Sequence, residues 1–331
     1  MSSHDADTGY VPIGDLRMYY EIHGAGRPCV LLHGAYMSVD AMGPLLPGLA
    51  EDRQVIAVEQ QGHARTADVD RPLTYEQMAD DTAAALRHLE VGHADAVGYS
   101  MGGGVALQLA IRHPALVRKL VVASAGFAYD GMHAEALEMF PTITPELFAG
   151  SPPEQEYLRL APNPGDFPKL VEKLVALDST PFDWEQDVRA ITAPALVVLG
   201  DSDVVRLDHA VELFALLGGG VMGDFGGLPQ SQLAVLPGTS HYIPPGSGLL
   251  DRSDWLLAMI ARFSTRRCHR RRRAAPCRAP ARPNELSGCR LRSGTLRRQD
   301  LMVRRRLVRE RAAGRRAPSA ERPSSASRAA T

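Results

Sequence analysis

One stretch decides the fold: Asp95-Ala96-Val97-Gly98-Tyr99-Ser100-Met101-Gly102-Gly103-Gly104. The apolar residues before Gly98 predict a strand, and residues 101–112 predict a helix that ends at His113-Pro114. Ser100 therefore occupies a sharp turn from strand to helix, where its backbone is strained and its hydroxyl is exposed. Such a turn brings the residues two before and two after the serine against neighbouring backbone, so both must be small, as Gly98 and Gly102 are. An ordinary glycine-rich turn is the alternative interpretation.

Short apolar runs alternate with helix-period segments on both sides of this turn, which predicts an α/β fold with a mostly parallel central sheet and flanking helices. The predicted strands are 16–22, 29–32, 54–58, 95–98, 119–123, 195–199 and 232–236. The predicted helices are 74–89, 101–112, 207–217 and 251–263. Thr74 is expected to cap the first of these helices.

The alternation stops between Phe127 and about Arg189, where prolines recur among short helical pieces and no strand is evident. We interpret residues 127–189 as a helical lid inserted into the sheet domain. Residues 1–126 and 190–264 are then the core, and residues 265–331 a separate tail.

A serine hydroxyl is a poor nucleophile until a base removes its proton. The base is expected on the loop after the last strand, and Leu236-Pro237-Gly238-Thr239-Ser240-His241 supplies His241 there. His33 and His63 stand on other loops near the serine, and we expect them to hold those loops in place. His241 is therefore the predicted general base.

The histidine needs a carboxylate that fixes its tautomer and stabilises the imidazolium. The loop after strand 195–199 offers two, Asp201 and Asp203. Asp203 lies further along the loop, where it can reach the histidine, whereas we expect Asp201 to cap local backbone. The order Ser100, Asp203, His241 along the chain is the one expected for a serine on this kind of turn.

A developing oxyanion needs two backbone N–H donors. Met101, directly after the serine, provides the first. The second is predicted on the loop after strand 29–32, where His33-Gly34-Ala35 stands, so Ala35 is the candidate.

Residues from about 10 to 264 resemble the α/β-hydrolase superfamily, in its branch with a helical cap. Four segments carry the resemblance. The oxyanion segment of the family is similar to Leu31-Leu32-His33-Gly34-Ala35, and its nucleophile elbow is similar to Gly98-Tyr99-Ser100-Met101-Gly102. Its acid loop is similar to Gly200-Asp201-Ser202-Asp203, and its histidine loop is similar to Gly238-Thr239-Ser240-His241. Gln61-Gly62-His63-Ala64-Arg65 is similar to a turn that usually has a second glycine where this chain has Ala64. The resemblance implies a serine hydrolase and leaves the substrate open.

The type of nucleophile limits the range of possible reactions. With Ser100 in place of an aspartate, the resemblance disfavours dehalogenase and epoxide-hydrolase chemistry. The simplest hypothesis is hydrolysis of a small to medium carboxylic ester through an acyl-enzyme on Ser100. Carbon–carbon bond hydrolysis, lactone hydrolysis and perhydrolysis stay open on the same residues, and so does a ligand receptor of this fold with little turnover.

The lid composition bears on these alternatives. Its many aromatic and Met residues indicate an apolar chamber for a small-molecule acyl or aromatic substrate, although packing of the lid on the core explains part of them. The lid shows no evident pair of basic residues for a carboxylate-bearing substrate, which lowers the carbon–carbon hydrolase interpretation. Nothing in the pattern indicates a cofactor or metal, because the cysteine spacings fit no zinc site.

Charge separates the tail from the rest. Residues 265–331 contain 21 Arg and 4 acidic residues, a net of +17, while residues 1–264 contain 16 basic and 34 acidic residues, a net of −18. The acidic body is not expected to bind nucleic acid. We interpret the Arg-rich tail as a disordered, frameshifted or otherwise non-native extension. The alternative is a disordered polycation that binds nucleic acid or anionic membrane.

Two features bear on location. No apolar run approaches the roughly 18 residues of a membrane span. Residues 1–10 lack the basic start and apolar stretch of a secretory signal, which predicts a cytoplasmic protein. The sequence does not indicate an oligomeric state.

Overall fold

The computed structural model describes residues 6–242 and 246–265, with the side chains of 225 and 226 left aside. The predicted tail, 265–331, lies outside these residues except for Thr265. No helix in the described part of the chain is long and apolar enough to cross a membrane.

Eight strands form one sheet in the order β1-β2-β4-β3-β5-β6-β7-β8. β2 pairs antiparallel with both β1 and β4, and every other pairing is parallel. The architecture is therefore the mostly parallel sheet that the sequence predicts. The strands are β1 Asp7–Ile13, β2 Leu16–His23, β3 Arg27–Leu32, β4 Arg53–Val58, β5 Ala94–Tyr99, β6 Val117–Ala123, β7 Ala195–Ser202 and β8 Gln232–Ser240.

Ten α-helices accompany the sheet in the described residues, with short 3-10 turns between them. They are α1 Leu45–Ala50, α2 Tyr75–His88, α3 Met101–Arg112, α4 Ala134–Met139, α5 Pro152–Leu160, α6 Phe167–Asp178, α7 Glu185–Val188, α8 Leu207–Leu216, α9 Gly223–Gly226 and α10 Ser253–Thr265. Thr74 caps α2 as predicted, because its side-chain oxygen accepts a hydrogen bond from the Gln77 N–H.

The central strands are apolar throughout because both faces of the sheet are covered. Successive side chains of a strand point to opposite faces, so Leu32 joins one hydrophobic core while its neighbour Leu31 joins the other. The first core includes residues of α2, α3 and α8, and the second includes residues of α1 and α10. Helices on both faces thus hold the carboxyl ends of the parallel strands β3, β5, β6 and β7 in fixed positions, all on the same side of the sheet.

The segment 127–189, called the lid below, runs between β6 and β7 and contains α4 to α7. Its described residues include no strand of the sheet; isolated bridges join Ala128 to Asp183 within the lid and Met132 to Val205 outside it. α6 buries a continuous apolar face, since Leu170 is 3% exposed and Val171 and Leu174 are both 0% exposed.

Two elements differ from the sequence prediction. β1 was not predicted, because in this edge strand only Val11 is buried and the other positions lack the apolar pattern of a strand. The glycine-rich connection 218–227, for which no helix was predicted, contains the four-residue helix α9.

Candidate active site

Ser100 lies between the end of β5 and the start of α3 with φ 54° and ψ −122°. A non-glycine residue rarely adopts a positive φ, so the turn stores strain. The flanking glycines make it sterically allowed. A Cβ on Gly98 would lie 2.0 Å from the Gly102 carbonyl oxygen, and one on Gly102 would lie 2.2 Å from the Leu32 carbonyl oxygen. Neighbouring backbone therefore leaves no room for a side chain at Gly98 or Gly102, which explains why small residues are required at both positions.

A chain of two hydrogen bonds connects the three predicted residues. The Ser100 Oγ lies 2.8 Å from the Nε2 of His241, and the Nδ1 of His241 lies 2.8 Å from the Oδ1 of Asp203. Ser100 follows β5, Asp203 follows β7 and His241 follows β8, so the parallel sheet brings together residues that are up to 141 positions apart. With Asp203 accepting from Nδ1–H, Nε2 is free to accept the Ser100 proton.

Asp203 is 5% exposed and fully hydrogen-bonded. Besides His241, its carboxylate accepts from the hydroxyl of Ser124 at 2.5 Å and from the N–H groups of Val205 and Gly200 at 3.2 and 3.4 Å. Burial acts to raise the pKa of Asp203, but the hydrogen bond and charge of His241 and the bonds from Ser124 and Val205 outweigh it and hold the pKa below its usual range. The carboxylate is therefore ionised at neutral pH.

Asp201 serves a different purpose. It is exposed, and its carboxylate accepts hydrogen bonds from the N–H groups of Gly238 and Thr239 at 2.9 and 3.2 Å. These bonds tie the end of β7 to the segment that leads into His241. Asp201 thus holds backbone, as expected, and does not contact the imidazole.

Two further residues, neither of them predicted from the sequence, hold His241 and Asp203 in position. The hydroxyl of Tyr99 donates to the backbone carbonyl of His241 at 2.7 Å, and the two rings stack with centroids 5.5 Å apart. Ser124 lies directly after β6, and from there its hydroxyl donates a hydrogen bond to the carboxylate of Asp203. The sequence signal for both was their place at the carboxyl ends of predicted strands.

The two predicted backbone donors also lie at this edge of the sheet. Met101 is the first residue of α3, where an N–H has no acceptor within the helix. Ala35 follows β3, which lies next to β5 in the sheet. The ring of His33 holds this segment, because its Nδ1 bonds the Gly34 carbonyl at 2.8 Å and its Nε2 accepts the Gln60 N–H at 3.0 Å. Burial lowers the pKa of His33 to about 4, which leaves the imidazole neutral at pH 7.

Aromatic residues of the lid pack against the core. Tyr75 of α2 contacts Phe182 and Trp184 of the lid, with centroids 5.6 and 5.2 Å apart. Tyr36, just after Ala35, packs on Phe148 at 4.6 Å. Aromatic contacts therefore join the lid to α2 and to the segment that follows β3.

Comparison with known proteins identifies the family. Residues 27–172 match a family model described as the alpha/beta hydrolase fold. The chain is also 32% identical over 255 residues to “Putative carbamate hydrolase RutD” of Azorhizobium caulinodans, covering 70% of this chain and 91% of that protein. The chain belongs to the α/β-hydrolase family.

Other members of the family show how varied its chemistry is. The present chain is 40% identical over 111 residues to the 2-hydroxymuconate semialdehyde hydrolase of a Pseudomonas species. The aligned residues are 32% of this chain and 39% of that enzyme. The crystal structure of E-2-(acetamidomethylene)succinate hydrolase has a TM-score of 0.59 with 21% identity, covering 78% of this chain and 99% of that one. At that identity the structural likeness concerns the fold alone.

Proposed function

We propose that this protein is a serine hydrolase that cleaves a small to medium carboxylic ester through an acyl-enzyme on Ser100. The observation that carries the proposal is the hydrogen-bond chain from Ser100 through His241 to Asp203, with both bonds at 2.8 Å. The strained turn that exposes Ser100 supports the same assignment.

The chemistry follows from the positions of the atoms. His241 Nε2 accepts the Ser100 proton as Oγ forms a bond to the substrate carbonyl carbon. When the tetrahedral intermediate collapses, the imidazolium returns that proton to the departing alcohol oxygen and the acyl-enzyme remains. A water then gives a proton to His241 as its oxygen attacks the acyl carbon. The bond from that carbon to Oγ breaks, and the imidazolium returns the proton to Oγ, which releases the acid and restores Ser100. Asp203, ionised and fixed by Ser124 and Val205, stabilises each imidazolium stage.

We assign the oxyanion-binding role to the N–H groups of Met101 and Ala35. One stands at the first turn of α3, where the helix dipole also favours negative charge. The other stands on the segment that neutral His33 holds. Two such donors are worth several kcal/mol to a transition state, roughly 3 kcal/mol each in known cases.

Residues 1–126 and 190–264 would form the catalytic core and residues 127–189 the lid that shapes the substrate chamber. Aromatic residues of the lid, among them Phe148, Phe182 and Trp184, support an apolar acyl or aromatic substrate.

Hydrolysis of a carbon–carbon bond is the second candidate. It is favoured by the 40% identity to 2-hydroxymuconate semialdehyde hydrolase over 111 residues. The pairing of the lid cations weighs against it for carboxylate-bearing substrates: Lys169 and Lys173 pair with Asp68, and Arg189 pairs with Glu185.

A side-by-side assay separates these reactions. Short p-nitrophenyl esters, lactones and ring-cleavage dienones would be compared under steady-state conditions, with Ser100→Ala as the blank. We expect the largest kcat/KM on an ester. Higher kcat/KM on a dienone would replace the ester proposal with carbon–carbon hydrolysis, and a single slow burst without turnover would indicate a ligand receptor.

A further inference from the structure

Residues 35–40, called the donor segment below, lead from the proposed oxyanion donor Ala35 into a 3-10 turn that begins at Asp40. The backbone of this segment is strained at Tyr36, directly after Ala35, where φ is 61°. A non-glycine residue keeps such a conformation only where the surrounding contacts impose it. The position of the Ala35 N–H therefore depends on what holds the donor segment.

On the core side, the carboxylate of Glu59 holds this segment. Glu59 follows β4 and is 0% exposed. Its Oε1 accepts the N–H of Val39 at 3.2 Å, and its Oε2 accepts the N–H of Arg65 at 2.6 Å. The guanidinium of Arg65 donates to Oε1 of Glu59 at 2.6 Å and to both carboxylate oxygens of Asp40 at 3.0 Å. These bonds join the donor segment to the loop that follows β4.

On the lid side, helix α5 bonds to the same segment through two side chains. The hydroxyl of Ser38, a residue that is 2% exposed, donates to Oε1 of Glu156 at 2.9 Å. The guanidinium of Arg159 donates to Oδ2 of Asp40 at 3.2 Å. Glu156 and Arg159 are three positions apart, so they lie on one face of α5, and they pair with each other at 3.6 Å. One face of a lid helix is therefore bonded to the donor segment at two points.

Packing brings the lid against the donor segment as well. The ring of Tyr36 contacts that of Phe148, in the 3-10 turn before α5, with centroids 4.6 Å apart. A cavity of about 10 Å³ lies between the segment and α5, and its lining includes Tyr36, Ser38, Glu156 and Tyr157. Such a volume holds about one water, so the lid and the donor segment are in close contact.

We propose that α5 takes part in catalysis, with Glu156 and Arg159 as positioning residues that keep the Ala35 N–H aimed at the oxyanion. This proposal rests on the proposed esterase function. The two side chains act through Ser38 and Asp40 and do not touch the reacting atoms. A displacement of about 1 Å at a catalytic group can cost roughly 10²-fold in rate, so contacts at this distance from the chemistry affect turnover.

Steady-state kinetics on one ester distinguish positioning from packing. Glu156→Ala should lower kcat about tenfold and leave KM within about twofold, because an oxyanion donor acts in the transition state. Glu156→Gln, whose amide oxygen can still accept from Ser38, should keep at least about half of kcat. Glu172→Ala, at an exposed position of α6, is the control and should not change kcat. Wild-type kcat in Glu156→Ala, or a higher KM at unchanged kcat, would overturn the proposal.

Arg159 has a matched control in Arg189. The Arg159 side chain is 60% exposed and that of Arg189 is 55% exposed, but Arg189 pairs with Glu185 inside the lid. Arg159→Gln should lower kcat about threefold, since an exposed ion pair contributes little, and Arg189→Gln should not lower it. The pH profile of kcat/KM should keep its wild-type apparent pKa in Arg159→Gln and in Glu156→Ala, because the hydrogen bonds of His241 are untouched. Equal kcat in the two arginine variants, or a displaced pH profile, would contradict the positioning role.

Hydrogen–deuterium exchange tests the same contacts without turnover. The N–H of Val39 is bonded to Glu59 and that of Ala41 to the Ser38 Oγ. The peptide 35–42 should therefore exchange about tenfold faster in the double variant Glu156→Ala/Arg159→Gln than in the wild type, while peptides of α2 exchange equally.

The two experiments fail independently. Absence of turnover on every ester would refute the esterase function alone, whereas equal exchange of the peptide 35–42 in the double variant and the wild type would refute the positioning role alone. If Glu156→Ala does not fold, Arg159→Gln and its control still decide through kcat and through exchange.

Discussion

At the residue scale, Asp201 and Asp203 are only two positions apart in the chain, but their surroundings differ. Asp201 lies at the end of β7 and Asp203 directly after it, and both are carboxylates that could orient a histidine. Asp203 is buried and accepts from His241 and Ser124, whereas Asp201 is exposed and accepts from two backbone N–H groups. The hydrogen-bonding partners thus assign one aspartate to the imidazole and the other to the loop.

Replacing the two aspartates in parallel tests this division. Asp203→Asn should lower kcat by roughly 10³-fold or more, because the histidine loses its tautomer and the charge that stabilises its protonated form. Asp201→Asn, the matched control, should lower kcat less than about tenfold, since it disturbs only the loop. Steady-state kinetics on one ester would measure both, and the reverse ranking would contradict the assignment.

The positions of Ser100, Asp203 and His241 could be predicted because each follows a strand in a recognisable segment. The hydrogen bond from Tyr99 to the His241 carbonyl could not be predicted in this way, because it joins segments 142 positions apart in the chain. Ser124 escaped because a serine after a strand is common.

At the element scale, the turn between β5 and α3 depends on backbone packing against backbone. The Cβ positions of Gly98 and Gly102 coincide with carbonyl oxygens that belong to rigid elements. A side chain at either position must move α3 or β3, and with them Ser100. The strand and helix on each side were predictable from their apolar residues, but the prolines of the lid hid the bounds of its short helices.

Alanine substitutions measure how tight this packing is. Gly98→Ala and Gly102→Ala should each lower the free energy of unfolding by about 3 kcal/mol or more, because the methyl group would overlap a carbonyl oxygen. Gly92→Ala is the matched control, since nothing lies within 4 Å of its Cβ position, and it should change stability by less than about 0.5 kcal/mol. Urea denaturation followed by circular dichroism would give the three values; equal stabilities would show that the turn tolerates side chains.

At the scale of the whole molecule, three buried histidines make the fold sensitive to acid. Burial lowers the pKa values of His33 and His209 to about 4 and that of His63 to about 3. All three bond backbone groups as neutral rings, which fixes loops around the site. The composition contains these histidines, but their burial follows only from the packed fold.

The sign of the acid effect follows from proton binding. Between about pH 6.5 and pH 4 the unfolded chain binds protons at these histidines and the folded chain does not, so stability falls as the pH falls. Each histidine should contribute about 1.4 kcal/mol per pH unit to that slope. His209→Gln, which keeps an acceptor for the Phe127 N–H, should flatten the slope of unfolding free energy against pH, and the exposed His88→Gln should not. Equal slopes in both variants and the wild type would rule out the buried histidines as the cause.

The most direct test of the central claim is covalent labelling of Ser100. A fluorophosphonate forms a stable bond only with a serine whose proton is removed by a neighbouring base. Peptide mass spectrometry should find one label per native chain, on the peptide that contains Ser100, with labelling lost in Ser100→Ala and strongly slowed in His241→Ala. Labelling of another serine, or equal labelling of Ser100→Ala and the wild type, would contradict the account.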